Sequence, residues 1–309
     1  RGRHGGRRQE LRDAAKGSVG RHDAMLASGR KREAMQRKLN VGLAQIDVRL
    51  GEVEANLETH LRWIERARER EVDLLVFPEL SLTGYRLLSL TSRVALHPHE
   101  SPVIDQLAKA ADGISLIVGA VEEDEHGVLY NSALVLHRGR LCHIHRKLYL
   151  PTYGIFQEER FLGAGQRLAP VAESGDQLGV LICEDLWHPH LALGLARSGV
   201  KLIAALSAGP GRIGSGAIPA SQETWESITR STALTNTAWV AYCNRVGWEE
   251  GSFYTGGSHF VRPSGELLVR APFFEEELLV ARLDLREVDR ARWRLPLLQD
   301  HRDDIEGAP

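Results

Sequence analysis

Three residues with reactive side chains each stand at the end of an apolar, strand-like segment. Glu79 ends LLVFPE, Lys147 ends LCHIHRK and Cys183 ends LGVLIC. Layered α/β folds place ligands and catalytic groups at the ends of strands, so these side chains are candidates for one site. Each also has an ordinary structural explanation, because acids cap turns, lysines are usually solvated and an unplaced cysteine is often a buried core thiol.

The types of these side chains suit nucleophilic catalysis. Burial at the edge of an apolar strand raises the pKa of a carboxyl group toward the range of a general base, the role open to Glu79. The segment after Cys183 reads EDLW and then Pro189, which predicts a sharp turn from strand to helix. A cysteine on such a turn exposes its sulfur and offers the next backbone N–H, that of Glu184, as an oxyanion donor.

Regular alternation of strands and helices predicts the scaffold that positions these residues. Apolar runs and alternating patterns predict strands at residues 39–46, 73–79, 114–121, 132–137, 141–145, 178–183, 201–206, 239–244, 258–262 and 278–283. Apolar residues on one helical face follow the first strand, and further helices are predicted at residues 189–198 and 218–237. The expected fold class is therefore α/β or α+β, with sheets covered by helices.

Composition agrees with a folded protein. The 309 residues are 43% hydrophobic and carry 39 Lys and Arg against 41 Asp and Glu, a net charge of −2. Such a chain can fill a substantial core, and its charge gives no sign of a nucleic-acid partner. Three scattered cysteines predict a reducing, cytoplasmic location. No apolar run is long enough to span a membrane, so no membrane partner is expected.

The first 38 residues differ from the rest. They hold twelve Arg and Lys against four acids, with a Gly/Arg bias and no sustained apolar period. Such a segment cannot bury itself, so we predict a basic, disordered extension over residues 1–38. Because Met25 and Met35 are the only methionines, we also expect native translation to start at one of them, with Met35 directly before the first predicted strand.

Three segments around the candidate residues resemble the nitrilase, or carbon-nitrogen hydrolase, superfamily. They are FPEL with the downstream TGY, RKLYLPTYGIFQEERF, and LICEDLW, in that order. Within the superfamily, the segments TGY, YLPTYGIF and CEDLW are most similar to the glutaminase domain of glutamine-dependent NAD synthetases. The likeness predicts a hydrolase domain over residues 39–288 and a C-terminal tail over residues 289–309.

The resemblance implies a four-layer α-β-β-α sandwich with a Glu-Lys-Cys triad and no metal or organic cofactor. It assigns Cys183 as nucleophile, Glu79 as general base and Lys147 as oxyanion stabiliser, with a thioester intermediate. Members commonly pair two sandwiches, so a homodimer or larger homo-oligomer is expected.

Other positions match supporting sites of the superfamily. Glu158 matches a second acid that orients the lysine and substrate, although the adjacent Glu159 is an alternative. Tyr85, Tyr153 and, less closely, Phe156 match the pocket wall. Arg212, in the loop SAGPGRIGSG, suits a substrate carboxylate but is equally typical of a solvated loop.

The remaining thiols and imidazoles have simpler interpretations. Cys142 and Cys243 lie inside alternating strands and are predicted to be core thiols. His143 and His145 alternate along one strand without a third ligand nearby in sequence, which favours a polar strand face over a metal site.

Two functions stay open. One is a stand-alone amidase that cleaves a small linear amide or N-carbamoyl compound and releases ammonia. The alternative is a glutaminase subunit that passes ammonia to a separate synthetase partner, since the sequence contains no SGGxDS-type nucleotide loop and is expected not to be a complete NAD synthetase. Nitrile hydrolysis is less favoured because the nucleophile lies in CED rather than CWE. Acyl transfer to an amine uses the same thioester and also stays open, whereas an inactive binding module is disfavoured by the presence of all three groups.

Overall fold

The computed structural model of the chain describes residues 38–212, 218–302 and 304. Within these ranges the strands are β1 Lys38–Gln45, β2 Leu74–Val76, β3 Ser115–Glu123, β4 Leu129–His137, β5 Arg140–Arg146, β6 Leu178–Ile182, β7 Leu202–Ser207, β8 Trp239–Asn244, β9 Val246–Glu249, β10 Ser252–Thr255, β11 His259–Val261, β12 Leu267–Arg270 and β13 Glu277–Asp284. The α-helices are α1 Val53–Glu69, α2 Thr91–Val94, α3 Pro102–Ala110, α4 Pro189–Arg197, α5 Ala220–Asn236 and α6 Arg286–Arg294.

Two large sheets organise these strands. The first sheet has the order β13-β1-β2-β3-β4-β5, and the second has the order β12-β11-β8-β7-β6. Strands β1, β2 and β3 are parallel neighbours, as are β6, β7 and β8. Strands β7 and β8 of the second sheet are buried along their whole length, because helices cover one face of that sheet and the first sheet covers the other.

Alternation along the strands of the first sheet divides its side chains between two cores. In β1, Leu39, Val41 and Leu43 belong to the core shared with the second sheet, whereas Ala44 faces the helices on the opposite side. Successive side chains of a strand point to opposite faces, so one apolar strand supplies both cores. The first sheet is therefore an internal layer.

Helices close the two outer faces. Helix α1 buries residues that include Trp63 and Ile64 in the core outside the first sheet, where α3 also packs. Helix α4 contributes Leu191 and Leu195 to the core of the second sheet, and α5 contacts both α4 and β8. The layer order is thus α-β-β-α, which confirms the predicted fold class.

Most predicted elements are present with bounds shifted by a few residues. The predicted strand at residues 73–79 ends at Val76, because Pro78 has no backbone N–H for a ladder. The hairpin β9–β10, strand β12 and helix α3 were not predicted from the sequence.

Two other features bear on the predicted domain limits. Helix α6, Arg286–Arg294, crosses the limit at residue 288 and buries Val288. The predicted extension lies outside the described residues except for Lys38, which begins β1. Among the described residues, no helix combines the length and apolarity needed to cross a membrane.

Candidate active site

Glu79 lies on a tight turn that follows β2 and packs against β3. A Cβ atom at Gly119 of β3 would lie 2.3 Å from the backbone nitrogen of Leu80 and 2.5 Å from the carbonyl oxygen of Pro78. Leu80 has a φ of 50°, a left-handed conformation that most residues avoid. The missing side chain of Gly119 therefore allows the turn to bring Glu79, a residue that is 1% exposed, into the interior.

Lys147 is the first residue after β5, and its side chain is fully buried. Its backbone N–H donates to the carbonyl oxygen of Asn131 at 2.8 Å, which extends the pairing with β4. Its Nζ lies 2.7 Å from Oε1 of Glu79 and 2.6 Å from Oε1 of Glu158. The structure thus joins two predicted triad members in one buried ion pair.

Cys183 begins the short 3₁₀ turn Cys183–Trp187 directly after β6. Its φ is 44°, a left-handed value that costs a non-glycine residue on the order of 1 kcal/mol or more. Ser207 at the end of β7 donates its hydroxyl to Sγ at 3.5 Å, and Tyr242 donates to Ser207 at 3.1 Å. Side chains of the neighbouring strands therefore hold the sulfur at the end of the second sheet.

Two further hydrogen bonds hold the Glu79 carboxylate. Asn131 donates its Nδ2 to Oε1 at 2.8 Å. The backbone N–H of Ala208 donates to Oε2 at 2.8 Å. Because Ala208 follows β7 of the second sheet, the Glu79 carboxylate is anchored next to Ser207, whose hydroxyl contacts Cys183.

Charge and burial set the protonation of this cluster. Burial lowers the pKa of Lys147, but the carboxylates of Glu158 and Glu79 outweigh it, and the net pKa lies well above its ordinary value. Burial and the charge of Glu79 raise the pKa of Cys183, with opposing contributions from Lys147 and Ser207. The resting sulfur is therefore a thiol, and the lysine stays an ammonium.

Glu158, rather than Glu159, points into the site. Its carboxylate accepts hydrogen bonds from Lys147 and from the Tyr85 hydroxyl, and it is 6% exposed. Glu159 is exposed. Burial raises the pKa of Glu158, partly offset by the charge of Lys147.

The predicted pocket tyrosines form a row with Phe156. The ring of Phe156 lies 5.9 Å from that of Tyr85 and 5.4 Å from that of Tyr153. Tyr153 is 49% exposed and donates its hydroxyl to Oε2 of Glu184 at 2.7 Å. The row runs from the buried Glu158 carboxylate to the surface beside the residue that follows Cys183, so it is suited to line a substrate path.

The structure does not bring Arg212 into this cluster. Its side chain is exposed, and its backbone N–H donates to Oγ of Ser221 at 3.2 Å. Among the described residues, no hydrogen bond or ion pair joins it to the triad. The following residues of the segment SAGPGRIGSG, 213–216, lie outside the described residues.

Several residues of the site were not predicted from the sequence. Asn131, Ser207 and the backbone of Ala208 contact Glu79 or Cys183. Asn131 lies in an apolar strand with no motif to mark it, and in the segment SAGPGRIGSG, which begins at Ser207, only Arg212 was singled out. His145, predicted to lie on a polar strand face, is 1% exposed and pairs with the buried Asp185 at 2.9 Å, so its polar surroundings are inside the protein.

His143, Cys142 and Cys243 are the other imidazole and thiol side chains that were singled out in the strands. His143 is partly buried, and burial lowers its pKa to about 4. Cys243 is a buried free thiol, whereas Cys142 is partly exposed with its pKa raised by burial to about 12.

A sandwich of this layer order is the fold of the nitrilase superfamily, and comparison with known proteins agrees. The solved carbon-nitrogen hydrolase from Helicobacter pylori has a TM-score of 0.75 at 25% identity, covering 87% of this chain and 96% of that one. The family model for carbon-nitrogen hydrolase matches residues 40–293. The chain therefore belongs to the carbon-nitrogen hydrolase family.

Glutamine-dependent NAD synthetases are among its relatives. That of Thermotoga maritima is 35% identical over 258 residues, which cover 81% of this chain and 43% of that protein. The structure from Acinetobacter baumannii has a TM-score of 0.72 at 27% identity and covers 81% of this chain and 46% of that one. The chain thus spans less than half the length of these synthetases.

Proposed function

We propose that this chain is a thiol-dependent amidohydrolase that cleaves the C–N bond of a small linear amide or N-carbamoyl compound and releases ammonia. The observation that carries the proposal is the buried Lys147 ammonium, 2.7 Å from Glu79, in a site that also holds a cysteine on a strained turn. General base, oxyanion donor and nucleophile are thereby supplied by three neighbouring elements.

In the first half-reaction Glu79 takes the thiol proton and Cys183 attacks the amide carbonyl carbon. A new C–S bond forms, and the carbonyl electron pair moves to oxygen. Lys147 and the backbone N–H of Glu184 stabilise this oxyanion, with one well-placed donor contributing about 3 kcal/mol. When the tetrahedral intermediate collapses, the C–N bond breaks and protonated Glu79 gives its proton to the leaving ammonia.

In the second half-reaction Glu79, again a carboxylate, takes a proton from water. The hydroxide attacks the thioester carbonyl, the C–S bond breaks, and the sulfur recovers a proton from Glu79. The balance is one amide and one water consumed for one carboxylic acid and one ammonia produced. The raised pKa of Cys183 makes this base necessary at neutral pH.

Glu158 supports Lys147 in this scheme. Its carboxylate lies 2.6 Å from Nζ and is held in turn by the Tyr85 hydroxyl. The second carboxylate keeps the ammonium charged and oriented when Glu79 is protonated during the cycle. Glu158 is therefore assigned to positioning rather than to proton transfer.

A second candidate function is that of a glutaminase that delivers ammonia to a synthetase partner. Similarity to glutamine-dependent NAD synthetases over 81% of the chain favours it. The Glu184 carboxylate at the outer end of the aromatic row offers a counter-ion to the α-ammonium group of glutamine. Cytoplasmic location and homo-oligomer formation stay predictions, the latter testable by light scattering.

Ammonia release tests both functions. Purified wild-type protein and Cys183→Ala are compared on glutamine, asparagine, short aliphatic amides, ω-amides of dicarboxylic acids and N-carbamoyl amines. Release that disappears in Cys183→Ala supports the amidohydrolase and names the substrate class. Release from glutamine alone favours the glutaminase, and co-purification of an ammonia-consuming synthetase then identifies the partner. Absence of release from every compound contradicts the proposal.

A further inference from the structure

Asp185 lies two residues after the nucleophile, is fully buried, and accepts four hydrogen bonds. Its Oδ1 accepts from the backbone N–H groups of Leu148 at 2.9 Å and Tyr149 at 3.1 Å. Its Oδ2 accepts from the backbone N–H of Ile182 at 3.1 Å and pairs with Nε2 of His145 at 2.9 Å. Every favourable acceptor direction of the carboxylate is therefore filled.

The backbone donors flank the two reactive residues. Leu148 follows Lys147, and Ile182 precedes Cys183. Lys147 follows β5 of the first sheet, whereas Cys183 follows β6 of the second. Asp185 thus bridges the two sheets at the point where the ammonium and the sulfur must meet.

His145 supports the bridge from the end of β5. Its ring is 1% exposed and lies two residues before Lys147, on the strand that carries it. A buried carboxylate is stable only when its oxygens are hydrogen bonded, and a histidine donor strengthens one of those bonds. The pair therefore ties β5 itself, and not only the following loop, to the Cys183 turn.

We propose that Asp185, supported by His145, is a positioning residue that sets the distance between the Lys147 ammonium and the Cys183 sulfur. This inference rests on the proposed function, and it adds a residue that contacts no reacting atom. A displacement of about 1 Å in a catalytic group costs on the order of 100-fold in rate, so looser anchoring lowers turnover without removing any triad member.

Asp185→Asn is the informative variant. It preserves the shape of the side chain but presents an NH₂ group toward either the donors of Oδ1 or those of Oδ2. Two of the four hydrogen bonds then lose their acceptor, so one of the two anchors is released. Because the charge of Glu79 raises and that of Lys147 lowers the pKa of the Cys183 thiol, a change in the distance between the thiol and these groups also changes the pH at which it ionises.

Gln45→Ala is the matched control. Gln45 is a fully buried polar side chain that ties the backbones of Ser258, Pro272 and Glu275, none of them in the site. Both variants lose buried hydrogen bonds, and both are assayed well below their own Tm. An effect that both variants show is thereby attributed to lost stability, and an effect that only Asp185→Asn shows is attributed to the site.

The experiment measures kcat and KM separately, together with the pH at which alkylation of Cys183 by iodoacetamide is half-maximal. We expect Asp185→Asn to lower kcat about 30- to 100-fold with KM within about threefold, and to move the alkylation midpoint away from its wild-type pH. Gln45→Ala should keep the wild-type kcat and midpoint. Equal behaviour of the two variants overturns the inference.

The alkylation measurement also separates this inference from the proposed function. If wild type hydrolyses no amide, the function fails, yet the midpoints still test positioning because alkylation needs no substrate. If Asp185→Asn does not fold, His145→Gln replaces it. A smaller shift of the midpoint in the same direction supports the inference, and a wild-type midpoint overturns it.

Discussion

The Nζ atom of Lys147 lies 2.7 Å from Oε1 of Glu79, and neither side chain has any exposed surface. A second carboxylate, from Glu158, lies 2.6 Å from the same nitrogen. The interior of the protein thus holds one ammonium between two acids. A buried ion that loses its partner lowers the free energy of unfolding. Lys147 is therefore expected to contribute to stability as well as to the proposed reaction.

Lys147→Gln should reduce both activity and stability. Loss of the oxyanion donor is expected to lower kcat by about 100- to 1,000-fold. The free energy of unfolding should fall by about 3–5 kcal/mol, because Glu79 and Glu158 lose their buried counter-ion. Steady-state kinetics and thermal unfolding measure the two effects. Lys201→Gln, which removes a partly exposed pair with Asp289, should cost less than about 1 kcal/mol, and an equal cost contradicts the prediction.

Glu158→Gln and Glu159→Gln form a matched pair of neighbours. The first removes a buried charge that orients Lys147 and should lower kcat about 10- to 100-fold. The second changes an exposed side chain and should stay within about twofold of wild type. Steady-state kinetics on the best substrate compares the kcat values of the two variants. A larger loss of kcat for Glu159→Gln would show that Glu159, and not Glu158, is the acid that orients Lys147.

Gly119→Ala should disrupt the turn that carries Glu79. The added Cβ meets backbone atoms at 2.3–2.9 Å, which no side-chain movement relieves, so we expect a loss of at least about 2 kcal/mol in the free energy of unfolding. Activity should also fall at temperatures where the variant stays folded, because the disrupted turn carries Glu79. Gly194→Ala in helix α4 meets only the tip of Leu168 at 3.3 Å and provides the control, measured by denaturant unfolding.

Stability should decrease in mild acid because of buried histidines, of which His60 is one; burial also lowers the pKa of His143 and that of His259 to about 4. Burial lowers the pKa of His60 from 6.5 to about 4, so the folded state binds fewer protons than the unfolded state between these values. The free energy of unfolding therefore falls as pH drops below 6.5, with a contribution of about 3 kcal/mol from His60 once pH reaches 4. His60 stacks on Phe77 at 4.1 Å and bonds Ser81 at 2.9 Å, on either side of Glu79.

Denaturant unfolding between pH 7 and 4 checks this dependence. His60→Gln should flatten the slope, whereas His126→Gln, at an exposed position, should leave it unchanged. Identical slopes in wild type and His60→Gln would show that another group causes the acid sensitivity.

Much of the scaffold could be predicted because apolar patterns report burial directly. The buried strands β7 and β8 are near-continuous apolar runs, and their positions follow from the sequence within one residue. Glu79, Lys147 and Cys183 were found because each ends such a run within a recognisable segment. Their meeting in space follows from the fold rather than from any one of the segments.

Long-range polar contacts could not be predicted in the same way. Asn131 binds Glu79 from 52 residues away, and nothing around it distinguishes it from a solvated asparagine. The hairpin β9–β10 was missed because its strands are four residues long and contain Glu249, which pairs with the fully buried Arg245. Charged residues normally lie at the surface, so a strand that contains one member of a buried ion pair does not show the apolar pattern of a buried strand.

The predicted triad is divided between two sheets, which bears on the stage of folding at which activity can arise. Glu79 and Lys147 follow strands of the first sheet, and Cys183 follows a strand of the second, so neither sheet alone holds both the proposed base and the proposed nucleophile. Under the proposed mechanism, a partly folded chain carries a thiol without its activating partners until the two sheets pack together. The onset of amide hydrolysis during refolding would then report that packing step.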